Sequence, residues 1–199
     1  PIKQFKKSKN FFLEKYYTLN KHKQIKSLFK KASRKDINYL KSFKTLKNQT
    51  FIEFPKLGFE ELKKIGKKIF GLSGCILLID YGYYKPDNKD TLQSVINHKK
   101  NKLLNNLGKA DITSHVNFSL LNEFFKKNKL KIKKTVTQKE FLEKMGIIER
   151  AESISKKMTF KEKTNLYFRL RRLLSPKMMG SLFKVSLAYK ARTRINFKY

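Results

Sequence analysis

The chain has 199 residues, enough for one ordinary domain with a sizeable core. An apolar content of 40%, with 17 Phe and 9 Tyr, excludes general disorder, and a single cysteine, Cys75, excludes an internal disulfide or a cysteine-based zinc site. The net charge of +33 invites a polyanionic partner, yet 41 of the 48 basic residues are Lys and only 7 are Arg, the residue that base and bidentate phosphate recognition favour.

The charge is also uneven: residues 1–50 carry a net +13 and residues 71–125 only +1. Lys, Asn, Ile, Phe and Tyr are abundant while Gly, Pro and Arg are scarce, as codon drift in an AT-rich genome produces. The expectation is therefore solvated lysine-rich faces with weak, salt-sensitive adhesion to anions, and no specific nucleic-acid partner. No apolar run approaches the roughly 20 residues of a membrane helix, so no membrane insertion is expected. No signal-peptide pattern opens the chain, and its first residue is Pro, so a processed chain or a fragment is expected.

In chain order, residues 11–17 and 24–29 read as two aromatic, basic strands with a turn at Asn20-Lys21. Residues 32–50 read as loop with some helix, with Tyr39, Leu40, Phe43 and Leu46 as the apolar positions. A short strand at 51–54 closes at Pro55. Residues 57–70 then put Phe59, Leu62, Ile65 and Ile69 on one helix face, and Gly71-Leu72-Ser73-Gly74 ends that helix. The run Cys75-Ile76-Leu77-Leu78-Ile79 predicts a strand buried on both faces, as in a parallel sheet covered by helices, with Cys75 a small buried residue.

After Gly82, residues 83–89 form a loop and 90–95 an extended segment, while 97–106 show no clear pattern. Val116-Asn117 opens a helix through about residue 127, with Asn117 as its cap. Residues 130–136 alternate like a half-buried strand. Thr137-Gln138-Lys139-Glu140 and Thr159-Phe160-Lys161-Glu162 are capping boxes; the first helix stops at Gly146 and the second runs to about Leu174. A last strand spans 182–189. The fold class is α/β, without internal repeat or clear domain boundary.

Asp80-Tyr81-Gly82 stands where the apolar run ends, at the carboxyl edge where open α/β sheets bind ligands. Asp80 is there either a functional carboxylate or the cap of the next turn. Asp111, Thr113, His115 and Asn117 alternate, so extended backbone turns them to one side as a polar pocket wall or as a hydrogen-bonded loop anchor. His98 and His115 share no ligand spacing with each other or with Cys75, so no metal site is expected. No nucleophilic triad is supported.

LLIDYGY, DTLQSVINHK, ADITSHVNFSLL, TQKEFLEKMGIIERAE and SPKMMGSLFKV, in this order, resemble the MidA family of class I S-adenosylmethionine-dependent methyltransferases. The resemblance runs from Pro1 to about Lys184. It implies the later part of a Rossmann-like methyltransferase sheet with an added β-hairpin and helices, residues 1–199 forming the C-terminal portion of one catalytic domain. It also implies S-adenosylmethionine as cofactor and a protein substrate, an arginine of a respiratory complex I-type subunit. Asp80 is the implied catalytic residue, and Tyr81, Gly82, Asp111, Thr113, His115 and Asn117 the implied cleft lining. The Phe12-Leu13-Glu14 stretch stands where the family has Trp-x-Glu. The family's Gly-rich turn after its first strand has no counterpart here. The cofactor is therefore expected to bind mainly to an N-terminal part outside this chain, and the chain alone to be inactive. A bacterial cytoplasm is the implied location, with the mitochondrion as the alternative. The rival expectation is a non-catalytic basic binding module, either a degenerate methyltransferase half or an RNA-associated protein.

Overall fold

The computed structural model describes residues 2–8, 11–22, 24–85 and 88–190. Pro1 of the opening segment and Pro86 of the expected loop lie outside the described residues. The chain divides into two units, Pro1–Ile65 with Tyr84–Phe124, and Gly66–Tyr83 with Phe125–Tyr199.

In the first unit, β1 (Lys3–Ser8), β2 (Phe11–Leu19) and β3 (Ile25–Lys31) form antiparallel neighbours, and β4 (Phe51–Phe54) pairs with the other edge of β1. The sheet order is β3-β2-β1-β4. The opening segment, not assigned an element from the sequence, is a central strand of this sheet. Its own pattern is too short to announce it; two partners supply its ladder bonds and bury Phe5 completely. Side chains alternate across a strand, so Phe5, Phe12, Ile52 and Phe54 share one face and are buried.

Residues 32–50 fold onto that face. Helix α1 (Arg34–Lys41) starts at Ser33, whose Oγ accepts the Asp36 N–H at 3.1 Å, and a 3-10 turn follows at Lys44–Leu46. Leu40, Phe43 and Leu46 are buried, as their apolar pattern implies. Phe54 meets Phe43 and Phe59 edge-on at 5.7 and 5.4 Å, and Phe59 stacks on Phe124 at 4.2 Å. Such ring pairs add about 0.5–1.5 kcal/mol each beyond the area they bury.

Helix α2 (Lys56–Leu72) leads into β5 (Cys75–Tyr83). It runs two residues beyond the expected end, and Ser73, not a glycine, takes the left-handed conformation with φ 58°. Ile65, expected on the buried face, is 47% exposed. Later in the first unit, β6 (Gln93–Ile96) and β7 (Lys99–Asn101) make a hairpin whose two loop residues, Asn97 and His98, both have positive φ. Two left-handed loop residues match the right-handed twist of a hairpin. β8 (Asp111–Thr113) pairs with β6, and β9 (Val116–Asn117) leads into α3 (Phe118–Lys127).

In the second unit the expected strand 130–136 is two short pieces, β10 (Lys131–Ile132) and β11 (Val136–Thr137). Both pair with β12 (Phe183–Tyr189). Helices α4 (Gln138–Lys144), α5 (Ile147–Ser155), α6 (Phe160–Leu174) and α7 (Met179–Leu182) lie between them in the chain. Both capping boxes form: Thr137 and Thr159 cap, and Glu140 and Glu162 return the bond. α5 was not expected. Gly146, at φ 77°, ends α4 and lets the chain start a new helix at once.

The central strand departs most from expectation. β5 pairs antiparallel with the whole of β12, from Tyr81 opposite Phe183 to Cys75 opposite Tyr189. It is not buried on both faces: Leu77 and Ile79 are 42% and 46% exposed, and Cys75 is exposed as well. Their cross-strand partners Leu187 and Val185 are buried, the latter beside Val136 and Phe141. An apolar run specifies a strand but does not supply the layer that would cover it.

Asp36 ties the first unit together. Its carboxylate meets Lys56 at 2.8 Å and Lys3 at 2.9 Å and accepts the Ser33 hydroxyl at 2.9 Å, while Lys3 also reaches Glu14 at 2.8 Å. Burial by itself raises the Asp36 pKa, but the bonds from Lys56, Lys3 and Ser33 outweigh it and hold the pKa at about 2. Its contribution is therefore complete above about pH 4 and is lost as the pH falls toward 2, where the unfolded chain takes up the proton first. Urea unfolding of Asp36→Asn should show a loss of about 1–3 kcal/mol at pH 7. That difference from the parent chain should shrink steadily between pH 4 and pH 2.

Candidate functional site

Asp80, Tyr81 and Gly82 lie in the second unit, and Asp111, Thr113, His115 and Asn117 in the first. Asp80 is exposed near the end of β5, and its Oδ1 accepts the N–H of Tyr81 at 2.8 Å. Tyr81 packs edge-on against Phe183 at 5.5 Å. Gly82 is buried, and its carbonyl accepts the Lys184 ammonium at 3.2 Å. Lys184 also donates to the carbonyls of Ser181 and Leu182, and stands opposite Asp80 in the ladder. Burial pushes its pKa down. The carboxyl edge of β5 therefore carries an exposed carboxylate beside a lysine engaged with backbone.

The alternating row of the first unit is not four equivalent pocket-facing groups. Asp111 is exposed and Thr113 half-buried, opposite Val95 and Gln93 on β6. Asn117 is buried and caps α3, its Oδ1 accepting the Leu120 N–H at 3.1 Å and the Ser119 hydroxyl at 2.9 Å. The backbone N–H of His115 donates to Thr91 Oγ1 at 2.9 Å. Asn117 and the His115 backbone are thus both engaged in hydrogen bonds within the first unit. Among the described residues no cluster of three metal-ligating side chains occurs.

The centre of that anchor is Glu53, which the sequence singled out only as part of a short strand. It is 6% exposed. One oxygen accepts Gln4 Nε2 at 2.8 Å and the Thr91 and Leu92 N–H groups at 3.1 Å each, and the other accepts the Thr91 hydroxyl. Gln4 Nε2 also donates to Asp90 at 2.6 Å, and Asp90 pairs with Lys15 at 3.1 Å. The DTLQSV segment is thus held to β1, β2 and β4 by carboxylates. The one usable signal in the sequence is a carboxylate between Ile52 and Phe54 of an otherwise apolar strand, since such a group needs several donors once buried.

Residues 1–136 match the family described as "Putative S-adenosyl-L-methionine-dependent methyltransferase". The chain belongs to this family. The resemblance read from its motifs is borne out. Among curated relatives, the protein arginine methyltransferase NDUFAF7 homolog of Caenorhabditis elegans mitochondria is 30% identical over 159 residues, covering 74% of this chain and 35% of the relative. The Danio rerio mitochondrial protein arginine methyltransferase NDUFAF7 is 27% identical over 123 residues, covering 62% and 29%. The chain thus spans about a third of the curated relatives it matches.

Two solved structures from Burkholderia thailandensis share the fold of this family member. A native structure of an uncharacterized protein gives a TM-score of 0.81 at 18% identity, covering 98% of this chain and 56% of the other. One bound to S-adenosyl-homocysteine gives 0.78 at 18% identity, covering 98% and 54%. The fold is α/β, as expected.

The Gly71-x-x-Gly74 stretch does not form a Gly-rich cofactor turn. Gly71 lies inside α2 with no atom within 4 Å of where a Cβ would stand, and Gly74 precedes β5 and meets only the Ile69 side chain at 3.7 Å. Neither follows a strand and neither brings backbone close to a ligand. The SPKMMG stretch holds a glycine of another kind. A Cβ on Gly180 would overlap the Leu174 carbonyl oxygen, because the Gly180 N–H folds back to Ser175 O at 3.0 Å.

Two outcomes follow from this packing. Glu53→Gln should accelerate hydrogen exchange at the Thr91, Leu92 and His115 amides and lower stability by about 1–3 kcal/mol, since it sets an amide against four donors. Gly180→Ala should cost about 1–3 kcal/mol by thermal unfolding, with the exchange of those three amides unchanged.

Proposed function

We propose that residues 1–199 form the acceptor-side portion of an S-adenosylmethionine-dependent methyltransferase acting on a protein side chain. The family match over residues 1–136 carries this reading. It is supported by likeness to a structure that binds S-adenosyl-homocysteine, and by relatives named as protein arginine methyltransferases. The acceptor we infer is an arginine, and the substrate a respiratory complex I-type subunit. The cofactor, bound mainly by residues outside this chain, supplies the activated methyl group. The work left to this portion is alignment of the acceptor, which proximity makes effective.

Asp80 is the residue we assign to that work. Its carboxylate is exposed, one oxygen is already oriented by the Tyr81 N–H, and a guanidinium is held best by such a charge-assisted acceptor. In the second unit Tyr81 and Gly82 are proposed to contact the acceptor beside Asp80; in the first unit Asp111 and Thr113 are proposed as acceptor-contacting residues, with His115 and Asn117 fixing the segment that carries them. A bacterial cytoplasm is the proposed setting, the mitochondrion the alternative; an exposed Cys75 thiol suits a reducing compartment.

The test uses the gene product that contains these residues, with methyl-labelled S-adenosylmethionine and a complex I subunit as acceptor. Mass spectrometry should find the label on arginine. Asp80→Asn should lower the rate about 10- to 100-fold, the loss of one charge-assisted contact in the transition state, with the thermal midpoint unchanged. Label on another residue type would replace the arginine assignment. An unchanged rate in the variant would remove Asp80 from the site.

A further inference from the structure

The sheet of the first unit has a second face, and its composition differs from the buried one. Cross-strand register sets Phe29 opposite Lys15, Ser27 opposite Tyr17, and Leu13 between Lys31 and Lys6. Side chains opposite each other share a face. The face opposite to Phe5 and Phe12 therefore carries aromatic rings interleaved with lysines. Phe11 is 59% exposed and Tyr17 40%. Lys6 Nζ lies 4.4 Å from the Phe29 ring centroid, and Lys15 Nζ 5.6 Å from that of Tyr17.

Acidic groups are nearly absent from this region. Residues 3–31 hold ten lysines and one carboxylate, Glu14, which turns to the other face, where Lys3 and Tyr16 bind it at 2.8 Å. On this face Asp90 pairs with Lys15 of β2 at 3.1 Å, and at the β4 edge the buried Glu53 stands opposite Gln4; Lys6 and Lys31 are the exposed lysines that remain for a phosphate.

We propose that this face of the β1–β2–β3 sheet binds single-stranded nucleic acid without sequence preference. Every base has a π-face, so exposed rings on a sheet take successive bases in any order, while lysines between the rings meet the phosphates. Tyr17 and Phe29 sit diagonally on neighbouring strands, a spacing within reach of large side chains. A second copy of the chain fits poorly, since it would bring lysines against lysines. An acyl-chain surface fits less well than a base stack, because Lys15, Ser27 and Lys31 interrupt the apolar positions. The interaction is independent of methyl transfer. It gives the salt-sensitive adhesion expected from the charge a defined address.

The experiment is fluorescence anisotropy of a labelled 12-nucleotide oligo(U) with the 199-residue chain at 50–200 mM salt, conditions over which phosphate contacts are read as a slope. Tyr17→Ala should weaken binding about 5- to 100-fold while leaving the salt slope unchanged, and Tyr17→Phe should bind like the parent chain. Lys6→Gln should lower the magnitude of the slope by about 0.7, the share of one phosphate contact on a single strand. Lys156→Gln, in the second unit, should change neither quantity. Equal affinity of the parent chain and Tyr17→Ala would overturn the proposal. So would binding to phosphatidylserine vesicles that Leu19→Ala abolishes, with no saturable oligo(U) binding. A Tyr17→Phe defect matching that of Tyr17→Ala would also count against stacking.

Discussion

Carboxylates are the scarce component of this protein, and much of its structure depends on where they are used. Fifteen acidic residues face 48 basic ones, yet Glu14, Asp36 and Glu53 are each buried to within a few per cent. Each accepts several donors: Glu14 from Lys3 and Tyr16, Asp36 from Lys3, Lys56 and Ser33, Glu53 from Gln4, Thr91 and Leu92. Glu123 does the same for the 3-10 turn, accepting the N–H groups of Lys44 and Thr45 at 2.8 Å. Removing one carboxylate leaves buried donors unpaired and the local positive charge unbalanced. Lysine excess is tolerable here because a few negative groups are placed where they hold the chain together and most lysines remain in water.

The same placement separates architecture from chemistry. Glu53 and Asp90 hold the DTLQSV segment, Asn117 caps α3, and Lys184 gathers the carbonyls at the end of β5. Motif residues that looked alike in the sequence therefore divide into anchors and exposed groups, and Asp80 belongs to the second kind. Leu77 and Ile79 are exposed beside the buried Val185 and Leu187, so apolar side chains of one ladder differ in what covers them.

Some elements were legible because their cause is local. The capping boxes at Thr137 and Thr159 satisfy orphan helix donors with residues three apart, so four letters suffice to locate them. Asn117 as a cap and Gly146 as a stop are local in the same way. Other elements were hidden because their cause is distant. β1 is a strand because β2 and β4 offer ladders on both sides, and Glu53 matters because residues 38 and 39 positions away bring it their N–H groups. The Asn97-His98 turn was within reach of sequence reasoning through its Asn, but strands of four and three residues leave little alternation to support it.

By itself the sequence determined the family, the α/β class, the starts of α3, α4 and α6 and the charge, because motif order, caps and composition need no knowledge of the fold. The tertiary structure alone decided which side of β5 is covered, which motif residues are hydrogen-bonded within the chain, and that Phe11, Tyr17 and Phe29 share an outer face with lysines. Those are questions of what stands opposite a residue. A strand's period of two tells which side chains travel together, but only the pairing of strands tells whether they meet protein or water.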